Sequence, residues 1–146
     1  VAVTGVQTCA LPICANLANA NLTAANLSAN LTNAILAFAF LMNANLYMAT
    51  LTGANLTYAN LNAANLTGAN LSSANLSSAI LTGANLLDAG LPSATLTGAN
   101  LTGANLSAAD LTAANLTYAN LSGAATGSAV WSNTTCPNRT VTSTGC

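Results

Sequence analysis

The sequence predicts an all-β solenoid, a chain that turns once per five-residue unit. Three observations predict it: a leucine at every fifth position, an alanine two residues before nearly every leucine, and polar or small residues elsewhere. From Leu31 through Leu36, Leu41 and Leu46 to Leu121 the leucine series is unbroken. A helix turns about 100° per residue, so leucines five apart advance about 140° and scatter around its circumference. A flat strand alternates with period two, and an odd repeat sends every second leucine into water. If each unit is one short side of a coil, the first-place Ala and third-place Leu both face inward. The other three places face out, and they hold Asn, Thr, Ser, Gly and Tyr in most units.

Units such as Ala54-Asn55-Leu56-Thr57-Tyr58, Ala99-Asn100-Leu101-Thr102-Gly103 and Ala109-Asp110-Leu111-Thr112-Ala113 resemble the Ala-Asn/Asp-Leu-x-x pattern of the bacterial pentapeptide-repeat family. The resemblance covers about Ala15 to Trp131. It implies a right-handed quadrilateral β-helix with four units per coil and about six coils. Residues twenty apart then stack in columns at the strand spacing of roughly 4.8 Å. Asn45, Asn65, Asn85 and Asn105 form one outer column, where stacked amides can pass hydrogen bonds along it.

Length and composition narrow the rest. With 146 residues there is room for one domain. One basic and two acidic residues give a net charge of −1, which excludes the clustered Lys and Arg of nucleic-acid binding. Mean hydropathy is positive, yet the longest apolar run, Ala34 to Met42, is far below the roughly 20 residues of a spanning helix. Neither a membrane, a cofactor, a metal nor a small-molecule substrate is expected.

Along the chain three parts are expected: a leader over 1–14, the solenoid over 15–131 and a tail over 132–146. Residues 3–13 resemble the translation of a short-read sequencing adapter, which implies a non-native leader on a metagenomic sequence; a natural cap or signal-peptide remnant is the alternative. Cys9 and Cys14 lack further ligands at metal-site spacing. The step from Leu27 to Leu31 is four residues, predicting a tightened corner near Ser28. Gly90 and Pro92 flank Leu91, and the missing proline donor predicts a bulge or a break in the ladder.

The second full coil carries apolar residues at outward places: Ile35, Phe38, Phe40, Met42, Tyr47 and Met48, with Tyr58 stacked one coil beyond Phe38. Such a band is expected to mark a contact surface for a protein partner or another copy of the chain. A missing N-terminal segment covering it is the equal alternative. Ile80 and Leu87 stand alone as outward apolar residues.

Past Leu121 the pattern decays, and Trp131 takes a core place as a cap requires. The tail Trp131-Ser132-Asn133-Thr134-Thr135-Cys136-Pro137 resembles the endings of a bacterial subset of the family, which implies that Cys136 and Cys146 close a disulfide loop. Reduced thiols are the competing state. A disulfide favours an extracytoplasmic, oxidising location, which the sequence otherwise leaves unknown.

No catalytic residue is expected. There is no histidine or lysine, and Arg139 is the one arginine. Asp88 and Asp110 fall about 8 Å apart by strand spacings, inside the separation of an inverting glycosidase pair. They sit on a convex wall without a cleft, and Asp is simply the alternative to Asn in this repeat. The Asn-x-Ser/Thr sequons are a by-product of Asn-Leu-Thr.

The leading reading is therefore a non-catalytic structural or protein-interaction module. One alternative comes from the family, whose members include DNA mimics that bind DNA gyrase; a net charge of −1 argues against that activity here. Another is ice binding by the outward hydroxyl column Thr57, Ser77, Thr97 and Thr117.

Overall fold

Twenty-one parallel bridges fix the architecture, each joining second-place residues of successive coils. The partners are twenty residues apart except at the first three bridges, Asn16 to Ile35, Asn21 to Phe40 and Asn26 to Asn45, which span nineteen; Ile35 to Asn55 and Asn55 to Asn75 show the full interval. Twenty residues are four units, so the chain is a right-handed quadrilateral β-helix. The computed structural model describes residues 14–146. The sequencing-adapter reading of 3–13, and Cys9 with it, lie outside the described residues. No helix among those described is long and apolar enough to cross a membrane.

Four walls result. Wall 1 carries Asn16, Ile35, Asn55, Asn75, Thr95, Asn115 and Thr135; wall 2 carries Asn21, Phe40, Asn60, Ile80, Asn100 and Asn120. On wall 3 are Asn26, Asn45, Asn65, Asn85, Asn105 and Ala125, and on wall 4 Asn30, Thr50, Asn70, Gly90, Asp110 and Val130. Wall 1 alone spans six coil steps. The third-place leucines from Leu31 to Leu116 and the first-place alanines between them are buried and fill the lumen as one continuous core. Leu17 and Leu121, in the outermost described units of this core, are only partly buried.

The unit Ala54–Tyr58 shows why the repeat closes. Ala54 N–H donates to Leu51 C=O across the corner, Asn55 N–H to Ala34 C=O of the preceding coil, and Leu56 N–H and Tyr58 N–H to Asn75 and Ser77 of the next. The fourth-place N–H, that of Thr57, has no backbone partner. Asn55 Oδ1 accepts it at 3.1 Å. Every backbone donor of the unit is thus satisfied, as buried or half-buried backbone requires. The Asn of the repeat is a corner device first: its side chain caps the N–H two residues on, as an Asx turn does.

Every corner but the one at Ser28 is a turn with its first central residue at negative φ and its second at positive φ, the signature of type II. From Asn33 to Asn133 every fifth-place residue has φ between about +53° and +67°. Gly83 meets that demand freely, whereas Phe38, Tyr58, Ala63 and Ala113 hold it against steric cost.

Two local expectations can now be judged. At Ser28 the missing residue shortens a corner: Ala29 N–H bonds to Leu27 C=O at 2.7 Å in a γ-turn, and Leu27 and Leu31 both stay buried. No bulge or break accompanies Pro92. The bridges of Gly90 to Asn70 and Asp110 persist, and Pro92 C=O still accepts from Ser73 N–H at 2.9 Å. The proline stands at the fourth place, whose N–H the ladder never uses, and it is favoured at that turn position. Gly90 offers no capping oxygen, and Pro92 has no N–H to cap. Pro137 likewise stands at a fourth place, two residues after Thr135.

The repeat register also runs beyond both expected boundaries. Cys14 already holds a fifth place, with φ +67° and its N–H on Thr32 C=O. At the other end Thr134 takes the alanine place, Thr135 bridges to Asn115, and Cys136 enters a leucine column at 4% exposure. Thr134 is fully buried because its hydroxyl donates to Leu111 C=O at 2.7 Å. Then the chain reverses: β1 (Thr134–Thr135) pairs antiparallel with β2 (Val141–Thr142).

Two predictions follow from this packing. Leu76→Ala should cost about 2–5 kcal/mol in urea denaturation, while Leu121→Ala, at a side chain only partly buried, should cost clearly less. Among corners, Gly83→Ala should destabilise by roughly 1 kcal/mol although nothing lies within 4 Å of its new Cβ, and Ala63→Gly at φ +53° should be neutral or stabilising.

Candidate functional site

Column arithmetic assigns each outward apolar residue to a wall or corner, and it divides the band expected from sequence. Ile35 lies on wall 1 and Phe40 on wall 2, with Phe38 and Tyr58 on the corner between them. These four gather on one edge of the prism. Met42 sits on the next corner, and Tyr47 and Met48 on the one after, diagonally across the tube. They do not join the others. The band is a single stretch in sequence, but half a coil separates residues 38 and 48.

At the shared corner the Phe38 and Tyr58 rings stack, with centroids 5.0 Å apart and planes 10° from parallel. One coil step sets that spacing. Phe38 remains 52% exposed and Tyr58 55%, with Ile35 and Phe40 also exposed beside them. On the opposite corner Met48 lies across Gly68, where a Cβ would come within 2.5 Å of its sulfur.

Tyr118 belongs to the same corner as Phe38 and Tyr58, a placement the outward-residue survey missed; its position, a multiple of twenty beyond them, was the available signal. Its ring sits under the Arg139 guanidinium, 5.5 Å from centroid to Cζ. Ser78 and Gly98 lie between the two aromatic groups on this edge, and Ile80 shares wall 2 with Phe40.

The polar coat is locally committed. Thr57, Ser77 and Thr117 donate their hydroxyl protons to Asn55, Asn75 and Asn115. On wall 3, Asn45 Nδ2 donates to Asn26 Oδ1 and Asn65 Nδ2 to Asn45 Oδ1, both at 3.3 Å. Asn105 donates likewise to Asn85 at 3.2 Å. The expected column is therefore made in two runs, without a link from Asn85 to Asn65, and it starts one coil earlier, at Asn26. Asp88 stands exposed on a corner, while Asp110 Oδ1 accepts Thr112 N–H at 2.9 Å, as an Asn would. Among the described residues no group of three His, Cys, Asp or Glu could hold a metal ion.

Cys136 and Cys146 are joined as a disulfide, Sγ to Sγ 2.08 Å, and Cys14 is an exposed thiol.

The profile of pentapeptide repeats matches in eight copies, over residues 28–57, 49–88 and 91–124. The chain belongs to the pentapeptide-repeat family. HetL, a pentapeptide-repeat protein involved in heterocyst differentiation regulation from the cyanobacterium Nostoc sp. strain PCC 7120, superposes with TM-score 0.88 at 36% identity, over 89% of this chain and 61% of its own. Rfr23, from the cyanobacterium Cyanothece 51142, does so with TM-score 0.51 at 41% identity, over 62% of this chain and 58% of its own. This pentapeptide-repeat chain thus spans about three fifths of each. QnrB1, a plasmid-mediated fluoroquinolone resistance protein, is 18% identical with TM-score 0.39 and carries no argument. No curated protein matches the chain in sequence.

The two duties of the amide give a prediction. Asn115→Asp keeps the corner acceptor and should be nearly neutral. Asn65→Asp removes the donor to Asn45 and sets two oxygens together, so it should cost about 1 kcal/mol more in urea at pH 7. Below about pH 4 the carboxyl protonates and can donate, and the difference should shrink.

Proposed function

We propose that this chain is a non-catalytic scaffold that contacts another protein surface through its apolar corner, Ile35, Phe38, Phe40 and Tyr58. The stacked, half-exposed Phe38–Tyr58 pair carries this reading. Around it lie mostly neutral amides and hydroxyls, many bonded to the chain's own backbone or to one another, and a stacked apolar ridge against that background is what a docking partner would desolvate. The convex walls give Asp88 and Asp110 no cleft, which supports a role without catalysis.

The gyrase-mimic reading needs a field of negative charge, and two aspartates with one arginine supply none. Ice binding needs a row of hydroxyls free to order water, whereas Thr57, Ser77 and Thr117 donate to neighbouring amides and Thr97 alone in that column has no such bond. Involvement in regulation, as for HetL, is compatible with a contact scaffold and adds no chemistry of its own.

Sedimentation velocity over a concentration series tests the corner with the protein's own copies as the first partner. The unaltered chain should associate as concentration rises, and Phe38→Asn with Tyr58→Asn should abolish this. Tyr47→Asn with Met48→Asn, on the opposite corner, should leave it intact. Equal loss in both variants, or association unaffected by the first, would count against the corner.

A further inference from the structure

We propose that the Cys136–Cys146 disulfide is a redox clasp, which a dithiol reductant opens to release residues 143–146 from the last coil and uncover Trp131. The two sulfurs are unequally placed. Cys136 is held in a leucine column at 4% exposure, whereas Cys146 is exposed. Cys136 is also fixed from both sides, by its N–H to Thr140 C=O at 2.7 Å and by Arg139 N–H on its own C=O at 2.8 Å. The accessible sulfur is therefore the mobile partner's, and the fixed one is the leaving group.

What the clasp holds is otherwise lightly held. The antiparallel pairing ends at Thr142, and Arg139 over Tyr118 pins the hairpin tip independently of the sulfurs. Beyond Thr142 the contacts are few. Asn133 N–H reaches Ser143 Oγ only at 3.5 Å, Thr144 N–H bonds within the segment to Thr142 Oγ1, and Gly145 lies against the Trp131 ring. None of residues 143–146 shares a backbone ladder bond with the tube. Fixing four residues on such contacts costs more backbone entropy than they return, so the covalent bond keeps the segment in place.

Beneath it lies a depression lined by Leu121, Ala124, Thr126 and Trp131. Leu121 and Ala124 are the partly buried end of the core, and Trp131 is 7% exposed with the segment closed. Opening the clasp therefore exposes apolar lumen, while the coils below keep every ladder bond.

The chemistry balances with a dithiol. One thiolate attacks Cys146 Sγ and forms a mixed disulfide; the Cys136–Cys146 bond breaks, and its electron pair leaves on Cys136, which takes a proton. The second thiol then attacks the mixed disulfide, freeing Cys146 as a thiol. Two cysteines are reduced and one dithiol is oxidised to its disulfide.

Trp131 is the sole tryptophan, so it reports the clasp directly. The full chain with Cys9→Ser and Cys14→Ser is treated with dithiothreitol, and thiol titration confirms two free thiols. Acrylamide quenching of Trp131 should then rise severalfold and its emission shift to the red, with the far-UV circular dichroism unchanged. Cys146→Ser in the same background should show the opened state from the start and no response to dithiothreitol. Full reduction with unchanged quenching would mean that the segment docks without the bond, and would overturn the proposal. So would loss of the far-UV signal on reduction, which would make the bond a support of the tube, or thiols that appear only after denaturation.

Discussion

The structure depends on disposing of one backbone donor per corner. A chain that turns every five residues satisfies four of its N–H groups through the turn and the ladders to neighbouring coils, and leaves the fourth-place N–H over. At most corners an Asn, or Asp110, two residues earlier accepts it. Once that donor is provided for, Leu and Ala can face inward without an unpaired polar group beside them, and the lumen can be dry. At Gly90 the acceptor is lost and Pro92 removes the donor with it, whereas beyond Ile35, Phe40, Thr50, Ile80, Thr95, Ala125 and Val130 the fourth-place N–H has no partner among the described residues.

Because ladders run only between adjacent coils, irregularities stay local. A residue deleted at Ser28 shortens one corner and leaves both flanking leucines buried. The positive φ at each corner is likewise imposed by the turn, and Ala, Ser and even Phe accept it because ladder bonds on both sides hold the residue. Stability is a property of stacked neighbours, so the coils at either end of the stack are the ones with exposed core. Trp131, the hairpin of β1 and β2, and the disulfide all act at one such end.

The same stacking organises the surface. Chemistry spreads along columns, so a departure from the repeat matters when it recurs twenty residues on. Phe38 and Tyr58 obey that interval and make a stacked ridge, and Tyr118 lies further along the same edge with Arg139 over it. Tyr47 and Met48 are closer to Phe38 in sequence but face away from it. The pentapeptide-repeat chain thus gathers Ile35, Phe38, Phe40 and Tyr58 on one edge, while Tyr47 and Met48 are exposed on the opposite corner and Val130 on wall 4.

How much of this was legible follows from what each feature depends on. Burial of the Leu and Ala places could be read from period five, because inward and outward places differ in polarity within a single unit. The role of Asn was only half legible: an outer amide column was expected, and wall 3 has one in two runs, but the corner bond to the residue two ahead is the general use. The expected break at Pro92 failed for a related reason, since sequence does not say which N–H the ladder leaves idle. Every unit is locally alike, so a period of five cannot by itself say how many units close a coil; the resemblance to the family supplied that number. The turn geometry and the ladders between residues twenty apart decided it, and with it which side chains share an edge.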